Sequence, residues 1–222
     1  MELLKTYHKI FDKDGSLAIE AIRSVIKPDD SHFARSTLVC LENTQAGKAL
    51  SLQYIESVRN VCNKHNLKLH LDGARFFNAC IDQSIEPEKL ARPFDSISIC
   101  LSKGLGAPVG SLLLGDEKFI SEARRWRKVL GGGMRQAGFL AAAGLYALKH
   151  NISRLDEDHK NASTIHKNLI ERLDKGPVVC AEGFLFEIEK RGYMASGEFV
   201  PMVALENPEA LENLHKDFQH AG

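Results

Sequence analysis

Two groups in this chain have types and positions suited to joint chemistry. Lys103 follows the run Ser96-Ile-Ser-Ile-Cys-Leu101 and stands before Gly104-Leu-Gly106-Ala-Pro-Val-Gly110, and Asp72, in His70-Leu-Asp-Gly-Ala-Arg75, closes the preceding apolar run. Nearby positive charge and partial desolvation favour loss of a lysine's proton, after which the amine adds to a carbonyl. A carboxylate against a pyridine nitrogen acts in the opposite sense, holding that nitrogen protonated so that the ring accepts carbanion charge. The two groups together suit a Schiff-base cofactor, pyridoxal phosphate. Taken singly, Asp72 equally suits a helix cap and Lys103 a solvated loop; it is their pairing at the ends of neighbouring strands that points to chemistry. Gly104, Gly106 and Gly110 would let the backbone pass close to a planar ligand, or simply permit tight turns.

Other chemistries find less support. Gly104-Leu-Gly106-Ala-Pro-Val109 misses the third glycine of a dinucleotide loop, and Ala46-Gly-Lys48-Ala lacks phosphate-loop spacing. His65 and His70 are not at helical ligand spacing and no His-Glu-x-x-His occurs, so no metal is expected. Arg124, Arg125, Arg127 and Lys128, with Arg135 beyond a glycine turn, form either a solvated helix face or a phosphate site. Nucleic acid is not expected there, because no aromatic platform interleaves the charges.

The elements that must position these groups follow from periodicity. Ser36–Leu41 reads as a buried strand, Leu52–His65 as a helix with Ile55, Val58, Val61 and Cys62 on one side, and Leu67–Leu71 as a second strand, completing a βαβ unit. Ile97–Leu101 and Val109–Leu114 are expected as third and fourth strands, joined only by the segment carrying Lys103. Ser16–Ile26 is expected to be helical, Phe76–Ile85 is ambiguous, and Pro87 can open a short helix. Phe119, Ile120, Ala123, Trp126 and Leu130 give the next helix an apolar stripe. The almost uniformly apolar Gln136–Leu148 implies a helix buried on several sides, in the domain or across a subunit contact. A long polar helix over 152–173, strands at 178–180 and 184–188, and a closing helix over 208–218 complete the reading.

Composition sets the wider frame. With 222 residues, 44% hydrophobic, the chain has material for a substantial core in one or two domains. Lys+Arg and Asp+Glu both total 29, so no global field recruits nucleic acid or an anionic membrane. Five scattered cysteines without Cys-x-x-Cys suggest neither a disulfide framework nor a zinc site. No run approaches the roughly 20 apolar residues of a membrane span, and no signal peptide is evident, so a cytosolic setting is expected.

Five ordered segments resemble the threonine aldolases, pyridoxal-phosphate enzymes of the β-eliminating lyase superfamily. They are Lys27-Pro-Asp-Asp-Ser-His-Phe-Ala-Arg35, Leu41-Glu-Asn-Thr44, His70-Leu-Asp-Gly-Ala-Arg-Phe-Phe-Asn-Ala79, Leu101-Ser-Lys-Gly-Leu-Gly-Ala-Pro-Val-Gly110 and Arg125-Trp-Arg-Lys-Val-Leu-Gly-Gly-Gly-Met-Arg-Gln136. Several long motifs in order are far more specific than any one alone. The resemblance implies an α/β fold: part of an aminotransferase-like, fold type I large domain with a mostly parallel sheet over 1–150, and a linking helix with a short, divergent α+β part over 151–222.

By the same resemblance Lys103 is the imine lysine, Asp72 the partner of the pyridine nitrogen, and Arg75 a neighbour of cofactor or substrate. Lys128 and Arg135 would help bind phosphate, from the other subunit of a homodimer or homotetramer. The implied reaction cleaves threonine or allo-threonine, small β-hydroxy amino acids, to glycine and acetaldehyde. Departures accompany the match. Family members carry about 90 further residues before this region, with a Ser-Gly-Thr phosphate cradle and a ring-stacking histidine. Gln45 stands where the family has histidine, leaving His32 as candidate base, and no segment matches the family's carboxylate-binding arginine. The alternative expectation is therefore a catalytically silent, dimerising relative.

Overall fold

In the computed structural model of this chain, the described residues are 15–176 together with Glu209, Glu212, Asn213 and Lys216. The strands expected at 178–180 and 184–188 lie outside them, while the four described residues near the end are helical. Those up to Ser163 form one compact unit and those from Thr164 belong to a second.

The first unit is built on a four-stranded sheet in the order β1 (Leu38–Glu42), β2 (Lys68–Gly73), β3 (Ser96–Cys100), β4 (Ser111–Gly115). A short helix, α1 (Ile19–Val25), precedes it. The β1 and β2 strands run parallel with Glu42 opposite Asp72, and β2 and β3 run parallel with Asp72 opposite Ser98. The intervening α2 (Leu52–Lys64) starts at Ser51, whose hydroxyl accepts from the Tyr54 N–H. Ile55, Val58, Val61 and Cys62 recur at helical spacing and are buried with Leu69, Leu71, Ile97 and Ile99 of the sheet. The ambiguous stretch after Arg75 is a helix, α3 (Phe76–Asp82), and Pro87 opens α4 (Pro87–Ala91) at its first turn.

β4 runs antiparallel to β3, with Cys100 opposite Ser111. A parallel return needs a crossover of a dozen or more residues, usually through a helix, and the helix-free segment carrying Lys103 is too short to provide it. Beyond β4, Asp116 accepts from the Phe119 N–H and starts α5 (Glu117–Val129); α6 (Gly138–His150) and α7 (Leu155–Leu173) follow. A smaller core of Leu101, Leu105, Ala107, Ala147 and Leu155 packs the Lys103 segment against α6 and the start of α7.

Two burial expectations are corrected. Within β1 only Leu41 is buried, because β1 is the edge of the described sheet. In α6 only Gly144 and Ala147 are buried, and Phe139 is 90% exposed: one face meets Leu101 and its small core, with Leu148 partly buried beside it, and the opposite face is exposed.

At the amino ends of the strands the charges are closed on one another. Arg59 of α2 donates to the Asp95 carboxylate at 2.6 Å and to the carbonyls of Pro93 and Leu67, and Lys68 donates to the other Asp95 oxygen at 2.9 Å. The Leu69 N–H completes the set at 2.8 Å. Partial burial alone would raise the Asp95 carboxyl, but the bonds from Arg59, Leu69 and Lys68 outweigh it and hold it at about 2. No helix among the described residues is long and apolar enough to cross a membrane.

Candidate functional site

The carboxyl ends of β1 and β2 are tied together by Asn43, which is fully buried. Its N–H donates to the Asp72 carbonyl at 2.9 Å and its carbonyl accepts from the Arg75 N–H at 3.3 Å. Its Oδ1 accepts from the Leu50 N–H at 3.1 Å, closing the loop in which Gln45 and Lys48 exchange two backbone hydrogen bonds. The Asn43 Nδ2 is buried without a protein partner. Asp72 therefore sits on a braced strand end with its side chain exposed, where Oδ1 accepts from the Ala74 N–H at 3.1 Å. The next residue must be glycine: a Cβ on Gly73 would lie 2.8 Å from the Ser98 carbonyl oxygen, too close for β2 and β3 to keep their spacing.

Lys103 projects from a segment that is locally well determined. The Leu101 N–H donates to the Gly110 carbonyl, the Ala107 N–H to Leu101 and the Gly106 N–H to Lys103, each at 2.9 Å. Leu101, Leu105 and Ala107 turn inward while Lys103 stays exposed. Asn151 holds the segment from α6 by donating to the Leu105 carbonyl at 2.7 Å. Of the two roles open to the glycines, Gly104 has close approach, since a Cβ there would lie 3.0 Å from both Asn78 Oδ1 and Leu155 Cδ2. Gly106 and Gly110, at φ of +70° and +119°, have the turn role.

Lys103 and Asp72 thus emerge at the same end of two hydrogen-bonded parallel strands, and Arg75 joins them through Asn43 as the residue preceding α3. The side chains of Lys103, Arg75, Lys128 and Arg135 are exposed and make no hydrogen bond or ion pair among the described residues. Lys128 lies in the last turn of α5, and a Cβ on Gly133 would meet its side chain at 2.7 Å, so the glycine turn before Arg135 folds back over it. His32 stands apart in an exposed turn, its Nδ1 2.7 Å from Asp30 Oδ1, and shares no described contact with Lys103 or Asp72.

Asn43 was not singled out from the sequence as a site residue, although it falls within Leu41-Glu-Asn-Thr44. Its role depends on Leu50, Asp72 and Arg75 at once, a conjunction with no local spacing signature.

Residues 5–178 match a family model described as beta-eliminating lyase. Low specificity L-threonine aldolase of Escherichia coli K12 is 52% identical over 158 residues, 71% of this chain and 47% of that protein. Low-specificity L-threonine aldolase 1 of Arabidopsis thaliana is 48% identical over 163 residues, 71% and 46% of the two chains. The chain spans about half the length of the curated relatives it matches. A threonine aldolase structure from Leishmania major superposes with a TM-score of 0.62 at 24% identity, covering 71% of this chain and 48% of that one, which shows the shared fold.

Proposed function

The chain belongs to the beta-eliminating lyase family, and from that membership we propose that it serves pyridoxal-phosphate-dependent cleavage of L-threonine or L-allo-threonine to glycine and acetaldehyde. The observation that carries this reading is the emergence of a lysine unpaired among the described residues and an exposed aspartate at the carboxyl ends of adjacent parallel strands. Ligands of open α/β sheets bind there. The residues also fit the cofactor's needs: the Lys103 side chain is exposed and unengaged among the described residues, and Asp72 keeps an oxygen beyond the one that accepts from Ala74.

In this reading Lys103 would hold the cofactor covalently through Nζ, and the Asp72 carboxylate would keep its ring nitrogen protonated. When bound, pyridoxal phosphate supplies the sink for the electron pair released when a substrate bond breaks. Arg75 would lie beside the anionic substrate or cofactor, and Lys128 and Arg135 of the other subunit would attract its phosphate. His32, with its ring oriented by Asp30, is assigned as acceptor of the β-hydroxyl proton, a role that requires substrate binding to bring its turn to the Lys103 segment. The same reading carries threonine catabolism and glycine formation in the cytosol, by a homodimer or homotetramer.

Adding pyridoxal phosphate to the purified chain tests it: a new visible absorbance band, threonine-dependent acetaldehyde release, and loss of both in Lys103→Ala are expected. Protein that stays colourless and releases no acetaldehyde contradicts the reading. A second reading, a catalytically silent chain that self-associates, is favoured by the uncovered apolar face of α6. It predicts association without cofactor uptake, and acetaldehyde release by the chain would exclude it.

A further inference from the structure

Strand pairing ties the path of Lys103 to that of Asp72 as far as Gly73 opposite Ile99. Beyond that row the two paths separate. The chain after Asp72 turns through Arg75 into α3, the Lys103 segment packs toward α6, and among the described residues no backbone hydrogen bond joins 74–82 to 101–110. The spacing of Lys103 from Asp72 and Arg75 is therefore set by side chains packed between α3 and the segment. Phe77 and Ile81 of α3 supply an apolar part, lying against the core of Leu101 and Leu105. Asp72, Arg75 and Lys103 stand on the exposed side of this contact, and half-buried Asn78 of α3 supplies its polar part. A Cβ on Gly104 would lie 3.0 Å from Asn78 Oδ1 and 3.5 Å from its Nδ2, so the amide rests on the backbone directly beside Lys103. Asn78 Nδ2 in turn lies 3.4 Å from Nε2 of His159, a half-buried residue of α7. Leu155, at the start of the same helix, meets the Gly104 position through Cδ2 at 3.0 Å.

We infer that Asn78, backed by His159, is a positioning residue for Lys103: its amide sets how closely the Lys103 segment approaches α3, and so fixes the lysine relative to Asp72 and Arg75. Burial of Phe77 and Ile81 draws the two surfaces together without direction. An amide against a glycine defines one depth of approach, because close-packed atoms resist compression and Gly104 has no side chain to shift. The contact from His159 holds that amide in place, as the support behind a working side chain must. Such support matters at a reacting amine, since a displacement of about 1 Å can cost about 100-fold in rate. The role rests on the chemistry proposed for Lys103, whereas the placement is a property of the chain without cofactor.

The test reads placement first. Hydrogen exchange on the cofactor-free chain compares the Gly106 and Ala107 amides, which close the Lys103 turn, with those of β2 and β3. In Asn78→Ala the two turn amides should exchange about tenfold faster or more, with β2 and β3 within about twofold of the unaltered chain. His159→Ala should show a smaller rise in the same amides, and His159→Gln, whose amide can accept from Asn78, should restore them; these variants decide the matter if Asn78→Ala does not fold. Gly104→Ala combined with Asn78→Ala should exchange less than the product of the two single effects, because the shortened side chain makes room for the new methyl. Apparent affinity for pyridoxal phosphate, titrated through the visible band, should then fall about tenfold or more in Asn78→Ala, with the band still formed at saturation. Unchanged turn exchange in both Asn78→Ala and His159→Ala overturns the inference. So does a rise shared equally by β2 and β3, which would make Asn78 an ordinary contributor to the core, and so does a loosened turn with undiminished cofactor affinity. A turn that loosens in a chain taking up no cofactor supports the placement and contradicts the chemistry proposed for Lys103.

Discussion

The two ends of the same sheet treat their charges in opposite ways. At the amino ends, Asp95 is gripped by Arg59, Lys68 and the Leu69 N–H, and α2 is bound to the strands through it. At the carboxyl ends, Asp72, Arg75 and Lys103 are placed as firmly by their backbones, yet their side chains do not neutralise one another. Charged groups on a folded protein usually gain from pairing. A rigid frame that withholds that pairing on one side only is what a site for a charged ligand requires, since the ligand then supplies the missing partner.

The largest loss comes from breaking the amino-end network. Arg59→Ala takes the guanidinium from Asp95, which keeps Lys68 and the Leu69 N–H, and from the carbonyls of Pro93 and Leu67, and is expected to cost about 2–3 kcal/mol in urea unfolding, below the range for fully buried pairs because Asp95 is partly exposed. Arg75→Ala at the other end should cost less than about 0.5 kcal/mol. Equal losses would erase the distinction. Acid probes the same network without mutation. A folded carboxyl at about 2 against an ordinary value of 3.8 gives stability present above about pH 4 and lost as pH falls toward 2. The expected loss is about 2 kcal/mol, and Asp95→Asn should remove that part of the pH dependence while Asp72→Asn leaves it in place.

Asn43 sharpens the comparison, because it braces the carboxyl end through neutral hydrogen bonds. Asn43→Ala strands the Leu50 N–H in the interior and is expected to cost about 1–2 kcal/mol in the same measurement, part of the penalty being offset by removal of the unpartnered Nδ2. Exchange of the Arg75 amide should rise more than that of amides in α2, since it is the local brace that is lost.

Asn43 and Asp95 also show where reading the sequence stops. Strand and helix periods near Lys103 are strong and local, and so β2, β3, β4, α2, α5, α6 and α7 lie where spacing places them, within a few residues at each end. That Asp72 and Lys103 stand at the same end of neighbouring strands was legible for the same reason: each follows or closes an apolar run. Arg59 and Asp95 are 36 residues apart and Asn43 meets Asp72 across a register, and neither relation leaves a periodic trace. Burial was misread at β1 and α6 because composition reports how apolar a segment is and not whether anything lies against it. β4 shows the same thing, with three consecutive leucines that each stay 37–44% exposed.

The smallest stability effect carries the most information about function. Lys103→Ala and Asp72→Asn each alter an exposed side chain with no ion pair among the described residues, so both should unfold within about 0.5 kcal/mol of the unaltered chain. The backbone bonds that set the Lys103 segment, from Leu101, Gly106 and Ala107, do not involve the lysine side chain. A site residue kept for ligand chemistry should therefore separate the two readouts, with unchanged urea midpoints and a lost absorbance band on adding pyridoxal phosphate. If instead Lys103→Ala unfolded as readily as Arg59→Ala, the lysine would belong to the framework, and the carboxyl ends would differ from the amino ends only in how their charges are paired.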